Sequence, residues 1–250
     1  MLRSVNGLRG YVLAAQDGEI GRCNDFLFDD RFWTVRYMVA YTGKWLPKRK
    51  VLISPISLGE PDWESQQFSV NLTKKEVEDS PPLDEGAPVS REYEMRWLDH
   101  YGWSYYWFGG GLWGPAADPT GLYVKGEKER IADKDTEPPE SYLRSAEEVA
   151  GYHIQAIDDE IGHVDDFILD DKTWTIRYMV VDTRNWLPGR KVLVTPDWID
   201  SVDWVEDKVS VDLTREQVKN SPEYHPKEPV NREYEARLYD YYGRPRYWDG

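Results

Sequence analysis

The chain has 250 residues, with 46 acidic against 31 basic side chains and a formal charge of −15. A surface this acidic repels phosphate backbones and anionic headgroups, which excludes nucleic acid as the expected partner. An aromatic share of 14 % supplies real cores and excludes a disordered acidic polymer, while no apolar run approaches the roughly 20 residues needed to span a bilayer.

The opening Leu2-Arg3-Ser4 lies beyond any secretory pattern, because the first residues lack an apolar core segment. With one cysteine, Cys23, no internal disulfide is possible. A soluble, cytoplasmic protein is expected. Asp17-Gly18 between short apolar runs predicts a first hairpin. "DFLFDDRFWTVRYMVAY" (25–41) predicts a second, with Val35, Tyr37 and Val39 on one face and Thr34, Arg36 and Met38 on the other. A two-residue loop, Asp30-Arg31, would set Phe28 opposite Trp33, Phe26 opposite Val35 and Asp25 opposite Arg36. The large apolar side chains then share a face and an ion pair crosses the other.

"WLPKRKVLISP" follows, with Trp45 and Leu46 in a loop, then a strand that Pro55 stops. "DWESQQFSVNL" reads as a further hairpin or a bent strand. Thr73 and Glu76 have capping-box spacing ahead of a short helix. A second helix runs from an N-cap at Ser90 to a stop at Gly102. Tyr93, Trp97 and Tyr101 form a stripe on it at i, i+4, i+8. Residues 108–141, rich in Gly, Pro and charge, read as a linker long enough for part of it to pack on a domain.

From residue 143 the text restarts. Leu143-Arg144-Ser145 stands 141 positions after Leu2-Arg3-Ser4, and residues 2–107 align without a gap to 143–248, about half of the positions being identical. The same elements are therefore predicted twice. The second hairpin would pair Leu169 with Trp174, Phe167 with Ile176 and Asp166 with Arg177. Trp186-Leu187 repeats the Trp-Leu-Pro loop, Thr214 and Gln217 the capping box, and Tyr234, Leu238 and Tyr242 the stripe. Three segments are expected: 1–107, a first β unit with an aromatic tail helix; 108–141, a linker; and 142–250, a second such unit.

The order "LRS…GY…DGEIGRCNDFLFDD…WTVRYMVAY…KVLISP", and its second appearance "LRSAEEVAGYHIQAIDDEIGHVDDFILDDKTWTIRYMVV…KVLVTP", resembles the PRC-barrel family over residues 2–80 and 143–221. The family is known from the cytoplasmic domain of the photosynthetic reaction-centre H subunit and from the second domain of the RimM-type ribosome-maturation factor. The resemblance implies a mainly β protein of two tandem, open, strongly bent antiparallel barrels, each followed by short helices. We expect the copies to be related by a pseudo-twofold axis. It also implies work through protein contacts, with no catalytic residues to carry over.

The residues agree with that expectation. None of His100, His153, His163 and His225 recurs between copies or has zinc spacing, and Cys23 reads as a buried small hydrophobe. The recurring acids (Asp17, Glu19, Asp29, Asp30 and Asp158, Glu160, Asp170, Asp171) lack EF-hand spacing and suit solvated hairpin tips better than a cation site. The Gly109–Gly111 run lacks the Lys-Ser/Thr of a phosphate-binding loop. No catalytic residue, metal or cofactor is therefore assigned. The candidate partner-binding residues are Trp45, Leu46, Trp186 and Leu187, with Tyr93, Trp97, Tyr101, Tyr234 and Tyr242 on the tail helices. Internal packing is the competing reading for the stripe. The expected function is a non-enzymatic adaptor that binds a protein, with homo-oligomerisation possible. The alternative is a small-molecule or metal-ion binder using an acidic groove between the barrels.

Overall fold

The computed structural model describes residues 1–43, 45–47, 49–83, 88–123, 140–183 and 190–249. It is mainly β, with two seven-stranded sheets. The chain divides into two compact units. The first-repeat unit comprises Leu8–Ser145 with Asp171–Thr175; the second-repeat unit comprises Met1–Gly7, Ala146–Asp170 and Ile176–Gly250.

The first-repeat sheet contains β2 (Val12–Ala15), β3 (Gly18–Asp29), β4 (Thr34–Tyr41), β5 (Lys50–Ile53), β6 (Leu58–Asp62) and β7 (Gln67–Val70). They lie in the open order β5-β4-β3-β2-β7-β6. Residues 16–17 form the tip of the first predicted hairpin, and 63–66 that of the third. The long strand β3 bends at Gly21, whose φ is +139°. A Cβ there would sit 2.2 Å from the Tyr41 carbonyl oxygen, so only glycine admits this approach of β4. Gly162 repeats the arrangement, with φ +134° and 2.1 Å to Asp182 O.

The seventh strand of this sheet is β8 (Leu143–Ser145), from the start of the second repeat. It runs antiparallel to β3, with Ser145 opposite Leu27, Arg144 opposite Phe28 and Leu143 opposite Asp29. The second-repeat sheet is built the same way from β9 (His153–Gln155), β10 (Glu160–Asp170), β11 (Ile176–Asp182), β12 (Lys191–Val194), β13 (Ile199–Asp203) and β14 (Lys208–Val211). Its order is β12-β11-β10-β9-β14-β13. Its seventh strand is β1 (Leu2–Ser4), from the start of the first repeat, with Leu2 opposite Asp170, Arg3 opposite Leu169 and Ser4 opposite Ile168. Each repeat thus donates its opening Leu-Arg-Ser strand to the other repeat's sheet.

The predicted hairpin register fails in both copies. Asp25 faces Val39, not Arg36, and Asp166 faces Val180, not Arg177. Phe28 pairs with Val35 and Phe26 with Met38; Leu169 pairs with Ile176 and Phe167 with Met179. The loop after Asp29 is four residues long, Asp30–Trp33, and five separate Asp170 from Ile176. Trp33 and Trp174 take left-handed backbones, with φ of +49° and +59°. An Asp-Arg pair does not favour the primed two-residue turn, so the chain closes through the longer loop. Trp33 still stacks on Phe28, at 5.2 Å and 20°.

Freed from the arginines, the aspartates receive the exchanged strands. Ser145 Oγ donates to Asp25 Oδ2 at 2.6 Å, and Arg9 Nη2 lies 3.1 Å from Oδ1. In the other unit Ser4 Oγ donates to Asp166 Oδ2 at 2.5 Å, and Asn6 N donates to Oδ1 at 2.9 Å. Charge-assisted bonds to half-buried partners are stronger than neutral ones, so these fasten three-residue strands that pairing alone would hold weakly.

Among the described residues four of the six α-helices follow their predicted signals; the short pieces Val5–Leu8 and Ala146–Val149 had none. In the first repeat the helices are α1 (Val5–Leu8), α2 (Lys74–Glu78) and α3 (Arg91–Tyr101), in the second α4 (Ala146–Val149), α5 (Arg215–Asn220) and α6 (Arg232–Tyr242). Both capping boxes are formed, on Thr73/Glu76 and Thr214/Gln217. Ser90 and Asn231 cap α3 and α6, which end on left-handed Gly102 and Gly243. One exchange of volumes distinguishes the cores. In the first repeat Trp97 of α3 meets Tyr101 at 4.7 Å, and Ser57 sits in the 3-10 turn. In the second the turn supplies Trp198, 4.6 Å from Tyr242, and α6 carries Leu238 at the matching position. The indole is conserved as a volume and moved between elements.

Candidate functional site

The stripe predicted on α3 lies largely in the core. Tyr93 and Trp97 are buried, and Tyr93 Oη donates to Pro81 O at 2.9 Å. Half-buried Tyr101 stacks on Trp103 at 4.6 Å and 15°, and burial pushes its phenol up to about 12. On α6, Tyr242 is half-buried beside Trp198. Tyr234 donates to Pro222 O at 3.1 Å and lines a surface pocket of about 390 Å³ with His225, Glu228 and Arg237. Trp45 and Leu46 are partly exposed in their loop, with Lys74 Nζ 5.0 Å above the Trp45 ring. Trp186 and Leu187 lie outside the described residues.

Beside the stripe α3 carries a constellation not anticipated from sequence. The i, i+3 pair Arg91–Glu94 closes at 2.9 Å, and Glu94 is fully buried. Tyr37 and Tyr106 donate to Glu94 Oε2 at 3.0 and 2.7 Å, and Ser141 donates to Oε1 at 2.9 Å. Burial pushes the Glu94 carboxyl above the ordinary range, opposed by the Arg91 guanidinium and the hydroxyl donors. The same burial raises the Tyr37 and Tyr106 phenols well above theirs. With its hydroxyl partners filled from within the unit, this buried carboxylate is a packing device, which needs every member satisfied.

Next to it Arg36, also buried, lies against two rings that stand edge to face, Tyr106 and Trp113, their centroids 6.4 Å apart at 67°. Its guanidinium carbon lies 4.1 Å from the Tyr106 centroid and 4.8 Å from that of Trp113. Nη2 is 3.4 Å from Asp29, and Nη1 donates to Leu112 O at 2.5 Å. Leu112 and Trp113 belong to the start of the predicted linker, residues 108–123, which packs on this unit as expected of part of it. Trp113 is fully buried, and its Nε1 donates to Thr173 O at 2.9 Å. The glycines serve close backbone approach, since a Cβ on Gly111 would lie 2.4 Å from Ala116 O. Residues 124–139 lie outside the described residues.

The second-repeat unit repeats the residues but not the cover. Arg232 meets Glu235 at 3.1 Å; Tyr178 and Tyr247 donate to Glu235 Oε1 at 2.8 and 2.9 Å. Arg177 lies 4.2 Å from the Tyr247 centroid and 3.7 Å from Asp170. Here the arginine side chains are 22 % (Arg177) and 57 % (Arg232) exposed, against 1 % (Arg36) and 7 % (Arg91) in the first unit. Tyr247 and Trp248 are half-exposed. The identical "REYE" in both tails was the available signal, because Arg and Glu three apart on a helix meet.

The remaining candidates have structural work. Asp17 accepts the Lys74 amide at 2.7 Å and Asp158 the Arg215 amide at 2.8 Å, each at a helix start. Arg49 donates to Glu78 O, the last carbonyl of α2, and to Ser80 O just beyond it. Burial raises the Cys23 thiol far above its ordinary value, which removes nucleophilic character. Among the described residues no group of three or more His, Cys, Asp or Glu converges to hold a metal ion, and no helix is long and apolar enough to cross a membrane.

Residues 144–218 match the family model described as the PRC-barrel domain. No curated protein matches the chain significantly.

Proposed function

We propose that the chain is a non-enzymatic protein-interaction module made of two PRC-barrel units that arose by duplication, the first lying outside the matched residues 144–218. It acts on a protein partner, in the cytoplasm, without a cofactor. The observation that carries this reading is the way the first-repeat unit holds residues 108–123. An irregular, glycine-rich segment is gripped through one arginine, two rings and a carbonyl. That is how a peptide-holding surface works, and the chain uses it on itself. Support also comes from the buried carboxylate, whose hydroxyl partners all come from within its own unit.

The Trp45–Leu46 loop is the proposed contact for the partner, as exposed Trp at a loop tip is a common interface anchor. Affinity capture of the full chain from its native host is expected to enrich one protein near stoichiometry. Trp45→Ala with Leu46→Ala is expected to lower that recovery at least about tenfold, the effect of losing one anchor. Enrichment of nothing by the intact chain, or equal recovery by both baits, would count against the reading.

A further inference from the structure

The two repeats carry the same residues at six positions of this face: Arg36 and Arg177, Tyr37 and Tyr178, Arg91 and Arg232, Glu94 and Glu235, Tyr106 and Tyr247, Trp107 and Trp248. In the first-repeat unit the Arg36 guanidinium meets a second ring, Trp113, at 4.8 Å and inclined 67° to Tyr106, and Nη1 is satisfied by Leu112 O. In the second-repeat unit Arg177 lies on Tyr247 with no second ring against it among the described residues. Its Nε is buried without a hydrogen-bond partner among them, and its ionic contact with Asp170 is long, at 3.7 Å. Arg232 rests 4.1 Å from the Trp248 ring with more than half of its side chain in solvent. Two guanidinium groups and two half-exposed rings thus form a platform on which Arg177 keeps Asp170 and Arg232 keeps Glu235 as ionic partners. The matching ligand supplies an aromatic ring to pack on the exposed part of the Arg177 guanidinium, as Trp113 packs on Arg36, and a carbonyl or carboxylate oxygen for its N–H groups.

We propose that the Arg177–Tyr247–Trp248 face binds, in trans, a glycine-rich peptide segment of another protein that carries a tryptophan, held as residues 108–116 are held against Arg36 and Tyr106. Glycine is required because the segment that presents the indole folds back on itself, and a Cβ on Gly111 would lie 2.4 Å from Ala116 O. A second copy of this chain is disfavoured as the source, since its own Trp113 is fully buried in its first-repeat unit. The proposal rests on the protein-interaction reading and narrows it to one surface and one ligand chemistry.

The test is a titration of the ¹⁵N-labelled full chain with a synthetic peptide of sequence FGGGLWGPAAD, that of residues 108–118. Saturable shifts are expected at Arg177, Tyr247 and Trp248, complete below about 1 mM peptide. Replacing the peptide's Trp by Ala is expected to weaken binding at least about tenfold, the loss of one stacked ring with its desolvation. Arg177→Ala should do the same, with Arg177→Lys intermediate because an ammonium keeps charge but not the planar stack. Amide spectra of both variants must otherwise overlay the parent, which separates lost binding from lost folding. Absent saturation, or affinity unchanged by Arg177→Ala, would overturn the proposal. So would self-association of the free chain that Arg177→Ala abolishes. Failure here leaves the capture experiment at Trp45 untouched, so the two readings fall separately.

Discussion

Arg36→Ala is expected to destabilise the first-repeat unit severely, whereas the matching Arg177→Ala should scarcely change the stability of the second. Arg36 and Asp29 are both buried, so truncating the arginine leaves a carboxylate without its cation, which costs about 3–5 kcal/mol in such pairs. It also removes the two ring contacts and the carbonyl bond that seat Leu112 and Trp113. Arg177 and Asp170 are each about one-fifth exposed and 3.7 Å apart. A partly exposed pair at so long a distance contributes about 0–1 kcal/mol. For a chain of this size the first change corresponds to a melting shift of roughly 6–20 °C and the second to a few degrees at most. Urea denaturation of the two variants, followed by tryptophan fluorescence, checks this. Equal midpoints would mean that the cover over Arg36 contributes nothing.

A chain cut once within residues 124–139 is expected to stay together as a one-to-one complex of its halves. Each half brings six strands of one sheet and the seventh of the other. Separation would leave β3 and β10 with unpaired edges and strip Asp25 and Asp166 of their serine donors. Deleting residues 1–7 from the cut complex removes β1, Ser4 and Asn6, and should weaken association by at least about tenfold, or 1.4 kcal/mol. Light scattering on the cut protein, with and without those residues, reads the result. Independent elution of the halves would show that the exchange does not hold them.

Much of this architecture is legible in the residues. Periodicity, Asp-Gly, Pro55 and the two capping boxes each encode local geometry, and local geometry survives folding. The register did not survive, because it depends on a left-handed Trp33 that no turn preference announces. The strand exchange is hidden for a different reason. Both copies carry Leu-Arg-Ser and both carry the receiving aspartate, so Ser4 has a chemically equal partner in Asp25 and in Asp166. A motif repeated identically cannot say which copy it pairs with; only the path of the chain decides. The aromatic stripe was legible as a stripe but not as core or surface. Trp97 and Leu238 show why: the same position holds an indole in one repeat and an isobutyl group in the other, and the compensating Trp198 lies 40 residues away in sequence. The Arg36 ring contacts depend on Trp113, in a segment whose glycines read as linker.

Reciprocal exchange of the opening strands is the claim on which the architecture stands. Residues directly opposed on antiparallel strands have Cα atoms about 4.5–5.5 Å apart, within disulfide reach. Leu2 is opposed to Asp170; without exchange it would meet the matching Asp29. Mild oxidation of the Leu2→Cys, Asp170→Cys chain is therefore predicted to link residues 2 and 170 within one molecule, and the Leu2→Cys, Asp29→Cys chain to stay reduced at those positions, as read by peptide mass mapping. Linkage of 2 to 29 with residue 170 left as a free thiol would contradict the exchange.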